Sequence, residues 1–444
     1  MNLYSGGIIL LLISSKSGPL KGSVRIPASK SHSVRANFFG LLSERVSEAI
    51  IKDPPGDAYA MSRVIREFGS SVTIEGDRWV FSGVGRELAT PTNVIDVGNS
   101  GTGLFISYAV SALLDSYVVI TGDDQIRYKP GRYGEPLLRA LKMLGARDAI
   151  SARGDGKPPV IIRGPLKGGY AELPGINSQW LTPLLIVAPL LDNDTEIKVD
   201  NLMERPYIRM TLEWIERCGG KVENEDYRFF RIRGGQRYRA YRHMIPGDWE
   251  SACFVMAAAS MIEGSDVTVT GLDIRDNQGD KVVIDILRSM GAEVEVKNYG
   301  IDGIRIASSR PLEGIEIDCK DIPDAIPYLA VLGTIARGKT ILKNIAPSRL
   351  KETDRPATIK MELEKMGARI ELNENEMIIY NSKLKGAMID GHMDHRIVMA
   401  TSIAGLVAEG ITVVSDAEFY KKSFPTFYEV IRSIGANIIR VEKI

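Results

Sequence analysis

Apolar side chains recur along this chain with a helical period, and the pattern appears six times over. Six segments close on a glycine: Gly69, Gly145, Gly219, Gly291, Gly367 and Gly435. One and four residues ahead of these stand Phe68 and Ile65, Leu144 and Leu141, Cys218 and Ile215, Met290 and Leu287, Met366 and Leu363, and Ile434 and Ile431. Eight ahead stand Met61, Leu137, Thr211, Val283, Ile359 and Phe427. Those offsets share one helix face, so each segment is predicted to be an amphipathic helix with one buried stripe. The glycine suits the left-handed residue that ends a helix. Short alternating stretches follow, among them Lys221–Glu223, Glu293–Val296 and Arg369–Leu372, and they turn into partners such as Gly303–Ile306 and Met377–Tyr380. All of these read as strands.

A second phase alternates with the first: a short strand runs through a polar loop into another helix. It occurs at Val24–Pro27 before Ser29-Lys30-Ser31, at Val94–Val97 before Gly98–Thr102, and at Ala171–Pro174 before Asn177-Ser178-Gln179. It returns at Met244–Pro246 before Gly247-Asp248, at Ile315–Ile317 before Asp321–Asp324, and at Met388-Ile389 before Asp394-His395-Arg396. Six similar units predict an α/β protein of two domains, each of three pseudo-threefold repeats. One domain spans residues 28–245; the other is discontinuous, 1–27 plus 246–444. The strand before Pro27 is expected to join the second half, which ends on a lone strand, Asn437–Val441. The apolar run Ile8–Ile13 is too short to span a bilayer, and no Lys or Arg precedes it, so it reads as a buried first strand rather than a signal peptide.

Helix starts carry unpaired N–H groups and about half a positive charge, so they attract anions. If the six loop-to-helix starts face a common crevice between the domains, they form an anion-binding cleft. For any single loop, ordinary capping by Ser, Asp or Asn accounts for the residues. Capping does not account for the Lys, Arg and His just inside these loops, such as Lys30, His395 and Arg396. A cation at a helix start opposes the dipole and needs a negative partner.

Composition narrows the field. The 444 residues are 44% hydrophobic and 25% charged, which excludes collagen, extended disorder and a disulfide scaffold. Lys plus Arg and Asp plus Glu both number 56, so there is no basic excess of the kind a general nucleic-acid binder carries. Three scattered cysteines, Cys218, Cys253 and Cys319, have no metal-ligand spacing and fit a reducing cytoplasm. No GxxxxGK[ST], HExxH or GxSxG is present, which disfavours nucleotide hydrolysis, zinc proteolysis and α/β-hydrolase chemistry.

The densest constellation is Arg349-Leu350-Lys351-Glu352-Thr353-Asp354-Arg355, where helical spacing would put Lys351 and Arg355 on one face with Glu352 beside them. Others are Asp394-His395-Arg396, Ser29-Lys30-Ser31 with Arg35, and Gly98-Asn99-Ser100-Gly101-Thr102, a turn of the kind that makes a phosphate nest. Further segments are Gly18–Gly22, Ser178-Gln179, Arg205-Pro206-Tyr207, Pro246-Gly247-Asp248, Pro323-Asp324-Ala325 and Lys422-Ser423-Phe424-Pro425. In this order, from about Gly18 to Lys422, the set resembles the enolpyruvyl transferases, most closely their EPSP synthase (3-phosphoshikimate 1-carboxyvinyltransferase) branch.

The resemblance implies two inside-out α/β domains with a cleft between them, the discontinuous one carrying the donor-side Arg and Lys cluster. It implies transfer of the enolpyruvyl group of phosphoenolpyruvate to the 5-hydroxyl of shikimate 3-phosphate, with no metal or redox cofactor. The partners are those two small anions, with no nucleic acid and no membrane, and the chain acts as a monomer. By matching position, Lys30, Arg132, Arg355, Arg396 and Lys422 would hold phosphoenolpyruvate, with Lys351 in the same motif and with Asn99 and Gly101 contacting it. Ser31 and Arg35 would bind the shikimate carboxylate, Asn177 and Ser178 would donate to the phosphate, and Gln179 and Tyr207 would pack on the ring. Asp324 would hold ring hydroxyls and assist deprotonation. Glu352 would be the acid/base at the methylene, with Lys30 a second proton carrier. Which of the three moves which proton stays open. A carboxylate ringed by cations is too acidic to hold a proton unless substrate charge resets it.

Four positions depart from the family pattern. Asn177 replaces a Ser, Glu204 replaces a phosphate-binding Ser, Pro347-Ser348 precedes the RxKE motif in place of Asn or an acid, and Phe105 stands where many relatives have Arg. Glu204 would repel a phosphate dianion unless it turns away to Arg205 or Arg209. Three other readings therefore stay open: a UDP-N-acetylglucosamine enolpyruvyl transferase, an enolpyruvyl transferase with another anionic acceptor, and a non-catalytic anion binder. The first is opposed by the absence of Cys from residues 122–134.

Overall fold

The computed structural model describes residues 9–443; Ile8, where the first apolar run begins, lies outside them. Contacts divide the chain into two compact units, one comprising the chain up to Pro27 together with Gly247 onward, the other Ala28–Pro246. Pro246 therefore falls with the middle unit. Each unit has its own hydrophobic core.

In the middle unit the paired helices are α1 (Lys30–Leu42) and α2 (Gly56–Glu67), α3 (Gly101–Ser111) and α4 (Glu135–Met143), and α5 (Ser178–Val187) and α6 (Arg205–Arg217). In the other they are α7 (Trp249–Met261) and α8 (Val283–Met290), α9 (Ile326–Ile335) and α10 (Arg355–Lys365), and α11 (His395–Gly405) and α12 (Phe427–Ser433). The even-numbered helices are the predicted amphipathic ones. Every stripe position, from Met61, Ile65 and Phe68 to Phe427, Ile431 and Ile434, is at most 2% exposed. Each large apolar side chain so buried contributes roughly 1.5–3 kcal/mol. All six glycines adopt positive φ, between 82° and 106°. The following N–H reaches back to the carbonyl of the fourth residue before the glycine, as in Ala146 to Leu141 and Ala368 to Leu363, both at 2.9–3.0 Å. That is the Schellman closure, and it satisfies carbonyls the helix end would otherwise leave open.

The odd-numbered helices are buried on nearly every side, as helices enclosed by a core must be. In the first of them several polar residues are tied off internally. In α1, Ser33 Oγ donates to Ser29 O at 2.7 Å, Asn37 Nδ2 to Ser33 O at 2.9 Å, and Trp214 Nε1 donates to His32 Nδ1 at 2.9 Å. Gly405 in α11 is required by packing, because a Cβ there would run into Ser14.

Among the described residues the strands form six four-stranded sheets, three per unit. All repeat one order: a parallel edge strand, then two antiparallel pairings. Gly169–Pro174, for example, runs parallel to Thr195–Asp200, which pairs antiparallel with Phe229–Ile232 and through it with Glu223–Glu225. Three sheets are completed from afar. Arg242–Met244, after the third repeat, lies parallel to Ser47–Ile50 of the first. In the other unit Ile9–Ser15 sits between Ile411–Val414 and Ile438–Lys443, so the terminal strand is paired, while Lys21–Arg25 lies beside Asp266–Thr270.

Two local expectations are corrected. The strand read at Lys221–Glu223 begins at Glu223, since the Lys221 N–H is taken by Gln236 Oε1 at 2.7 Å. Lys351 and Glu352 are not helical: Asp354 caps α10, accepting from Ala357 N at 3.2 Å, and Pro356 suits the first turn, so the helix starts only at Arg355. Among the described residues no helix is long and apolar enough to cross a membrane.

Candidate active site

In the discontinuous unit, the starts of α7, α10 and α11, the turn before α9 and two further loops bring their charges together. Arg355, 0% exposed at the first turn of α10, is the hub. Its Nε donates to Asp394 Oδ2 at 2.9 Å, its Nη2 to Glu352 Oε2 at 2.6 Å, and its Nη1 pairs with Asp324. Asp394 is also the N-cap of α11, accepting from Arg396 N at 2.9 Å. Arg396, 1% exposed, pairs with Glu250 at the start of α7 and approaches Asp324 Oδ1 at 3.1 Å. Lys422 Nζ donates to Glu352 Oε1 at 2.7 Å, and Lys351 Nζ lies 3.6 Å from Asp324 Oδ2. Four cations thus sit among four carboxylates, all nearly removed from water. Pairing of this kind offsets much of the cost of taking such ions out of water.

For Arg396 this answers the question posed by cations at helix starts, since Glu250 and Asp324 are its negative partners; Arg355 has Asp324, Glu352 and Asp394. Burial alone would lower the Arg355 guanidinium, but the charges of Asp394, Glu352 and Asp324 outweigh it and raise it, so it stays charged. Asp280, 2% exposed, behaves oppositely. Burial first, and then the charges of Asp324 and Asp248, push its carboxyl well up and favour its protonated form. Sequence reading did not single out Glu250 or Asp280, since nothing in their spacing marks them; their roles come from tertiary neighbours.

The remaining site residues lie in the middle unit, at the starts of α1, α3, α5 and α6 and, for Arg132, in the turn before α4. Lys30 opens α1 and is partly exposed. Arg35, one turn further, is 2% exposed, and burial lowers it to about 10, so it remains charged at neutral pH. It donates to Ser31 O at 2.9 Å, to Tyr207 O at 3.1 Å, and twice to Thr211 Oγ1 at 2.9 and 3.1 Å. Arg35 therefore ties α1 to α6 and sets Ser31 and Tyr207 side by side.

At the start of α3, Asn99 Nδ2 donates to Asp123 Oδ2 at 2.7 Å and Ser100 Oγ to Asp57 Oδ2 at 2.9 Å. Gly101 lies directly under the Arg132 guanidinium, close enough that a Cβ would collide with it. Trp180 of α5 donates to Tyr133 O at 3.1 Å and links the segment bearing Arg132 to the third start. There Asn177 Oδ1 caps α5 through Gln179 N at 3.0 Å. Glu204, 1% exposed, does not turn its carboxylate away from this start: Oε2 accepts from Ser178 N at 2.9 Å and Ser178 Oγ at 2.7 Å. Gln179 and Tyr207 are partly exposed.

Buried-helix α/β repeats with cations gathered at their helix starts place the chain among the enolpyruvyl transferases. It belongs to the EPSP synthase (3-phosphoshikimate 1-carboxyvinyltransferase) family, whose sequence model matches residues 14–431. The 3-phosphoshikimate 1-carboxyvinyltransferase of Acetivibrio thermocellus is 44% identical over 434 residues, 97% of this chain and 100% of that one. The enzyme of the same name from Methanocaldococcus jannaschii is 40% identical over 437 residues, 96% of this chain and 99% of the other. Among solved structures, EPSP synthase from Acinetobacter baumannii is similar with a TM-score of 0.81 at 28% identity, covering 98% of this chain and 100% of that one.

Proposed function

We propose that this chain transfers the enolpyruvyl group of phosphoenolpyruvate to the 5-hydroxyl of shikimate 3-phosphate, giving 5-enolpyruvylshikimate 3-phosphate and phosphate. This is a step of chorismate and aromatic amino-acid biosynthesis, carried out in the reducing cytoplasm, in keeping with three buried thiols. The observation that carries the reading is the Arg355-centred cluster, a set of cations whose present partners are carboxylates with chemistry of their own.

Phosphoenolpyruvate brings a carboxylate and a phosphate. Arg355, Arg396 and Lys422 turn their donors to it, with Lys30, Arg132, Asn99 and Gly101 completing its contacts; the fork of arginine suits the carboxylate. As those cations change partners, Glu352 and Asp324 lose the charges that hold them ionised, and each becomes able to carry a proton. Addition protonates the methylene carbon, to which Glu352 is assigned with Lys30 as second carrier, while the 5-hydroxyl, relieved of its proton with help from Asp324, attacks the neighbouring carbon. Elimination from the tetrahedral intermediate removes a methyl proton and expels phosphate. Positioning and charge stabilisation supply the acceleration.

Phosphate release from phosphoenolpyruvate that depends on shikimate 3-phosphate tests the reaction. Release with a UDP-sugar acceptor instead, or no release, refutes it. Glu352→Gln should keep substrate binding and lower turnover at least ~100-fold, the scale of acid–base catalysis. Unchanged turnover would remove Glu352 from the mechanism.

A further inference from the structure

Ser178 opens α5, and its N–H and hydroxyl both end on Glu204 Oε2. Glu204 is itself the residue before α6, held with a left-handed backbone at φ 57° and buried at 1% exposure. This helix start therefore already holds an anion, supplied by the chain. We propose that Glu204 is a resident carboxylate competing with the acceptor's phosphate for the start of α5, and that it weakens binding of phosphorylated acceptors selectively. The inference rests on the reading above that Asn177 and Ser178 meet the acceptor's phosphate.

Donor counting shows that both Ser178 donors are taken. A backbone N–H and a hydroxyl each carry one hydrogen, and both are spent on Glu204. The Asn177 oxygen is engaged by Gln179 N–H and is an acceptor in any case, so of that side chain only Nδ2 can donate to the phosphate. A phosphate dianion seated here would moreover lie against a carboxylate, and like charges at such separations repel strongly away from water. Binding of the phosphorylated acceptor at this start thus requires Glu204 to leave or to be neutralised. An acceptor without the phosphate meets no such obstacle.

Calorimetric titration of the full chain with shikimate 3-phosphate and with shikimate decides the matter. Glu204→Ser should bind shikimate 3-phosphate at least tenfold more tightly than the parent, about 1.4 kcal/mol, with shikimate affinity changed less than twofold. Glu204→Gln keeps the side chain's shape without its charge and should also tighten shikimate 3-phosphate; it reads the charge term alone, should the serine variant fold poorly. Equal or weaker binding of shikimate 3-phosphate in both variants overturns the proposal, as does equal tightening of both acceptors. Phosphate release from phosphoenolpyruvate tests the reaction separately: its absence in parent and variants refutes the proposed function, while the affinity ratio still decides the role of Glu204.

Discussion

Gly101 shows how much can rest on one missing side chain. It opens α3 without a positive φ, so alanine fits its backbone, and alanine is the better helix former by about 1 kcal/mol in a helix interior. The obstacle is Arg132, whose guanidinium occupies the space a Cβ would fill. That obstacle is the far end of a flexible side chain, so the fold can yield where the site cannot. Gly101→Ala is therefore expected to leave the denaturation midpoint nearly unchanged, yet raise the KM for phosphoenolpyruvate roughly tenfold or more, the scale of a displaced charge contact of about 1.4 kcal/mol. Steady-state kinetics beside a thermal melt separate the two, and an unaltered KM would take Arg132 out of the donor site. At this scale the sequence motifs located the cations but not their partners. Glu250 lies 146 positions before Arg396 in the chain, and no local pattern carries a pairing of that separation.

Helices were the most legible elements, because a stripe of period 3.6 and a closing glycine are both local. Gly367 isolates the second signal. Its φ is 90°, and a Cβ there would meet only Lys383 O, at an ordinary 3.7 Å. Gly367→Ala is thus expected to destabilise the fold by about 1–2 kcal/mol, the cost of a left-handed L-residue, with no steric share. A urea-unfolding midpoint that does not move would mean that α10 can end in another way. The motif at Lys351–Arg355 misled for an equally local reason. Its charges have helical spacing, but Asp354 and Pro356 fix the start of α10 at Arg355, and Lys351 and Glu352 reach the cluster from the preceding loop. Strands completed from distant sequence were legible only through repeat counting. The pairing of Ile9–Ser15 beside Ile438–Lys443 joins the two ends of the chain, and a lone strand left over is its one local trace.

For the whole molecule, the zero net charge read from composition recurs inside the discontinuous unit, where four cations balance four carboxylates. The sulfur chemistry follows from the two cores. Cys218 lies in the core of the middle unit, Cys253 and Cys319 in that of the other, and all three are 0% exposed. Burial pushes the Cys218 thiol up to about 12 and raises Cys253 and Cys319 too, so none supplies thiolate near neutrality. Thiolate is the reactive form, and a thiol with neither ionisation nor access is inert. Native protein at pH 8 is therefore expected to show no fast reaction with a disulfide reagent, and guanidinium should release all three thiols. Because the cores hold one and two cysteines, any separate opening of the units would appear as fractional release, one thiol from the middle unit or two from the other. A thiol that reacts at once in the folded chain would contradict this packing.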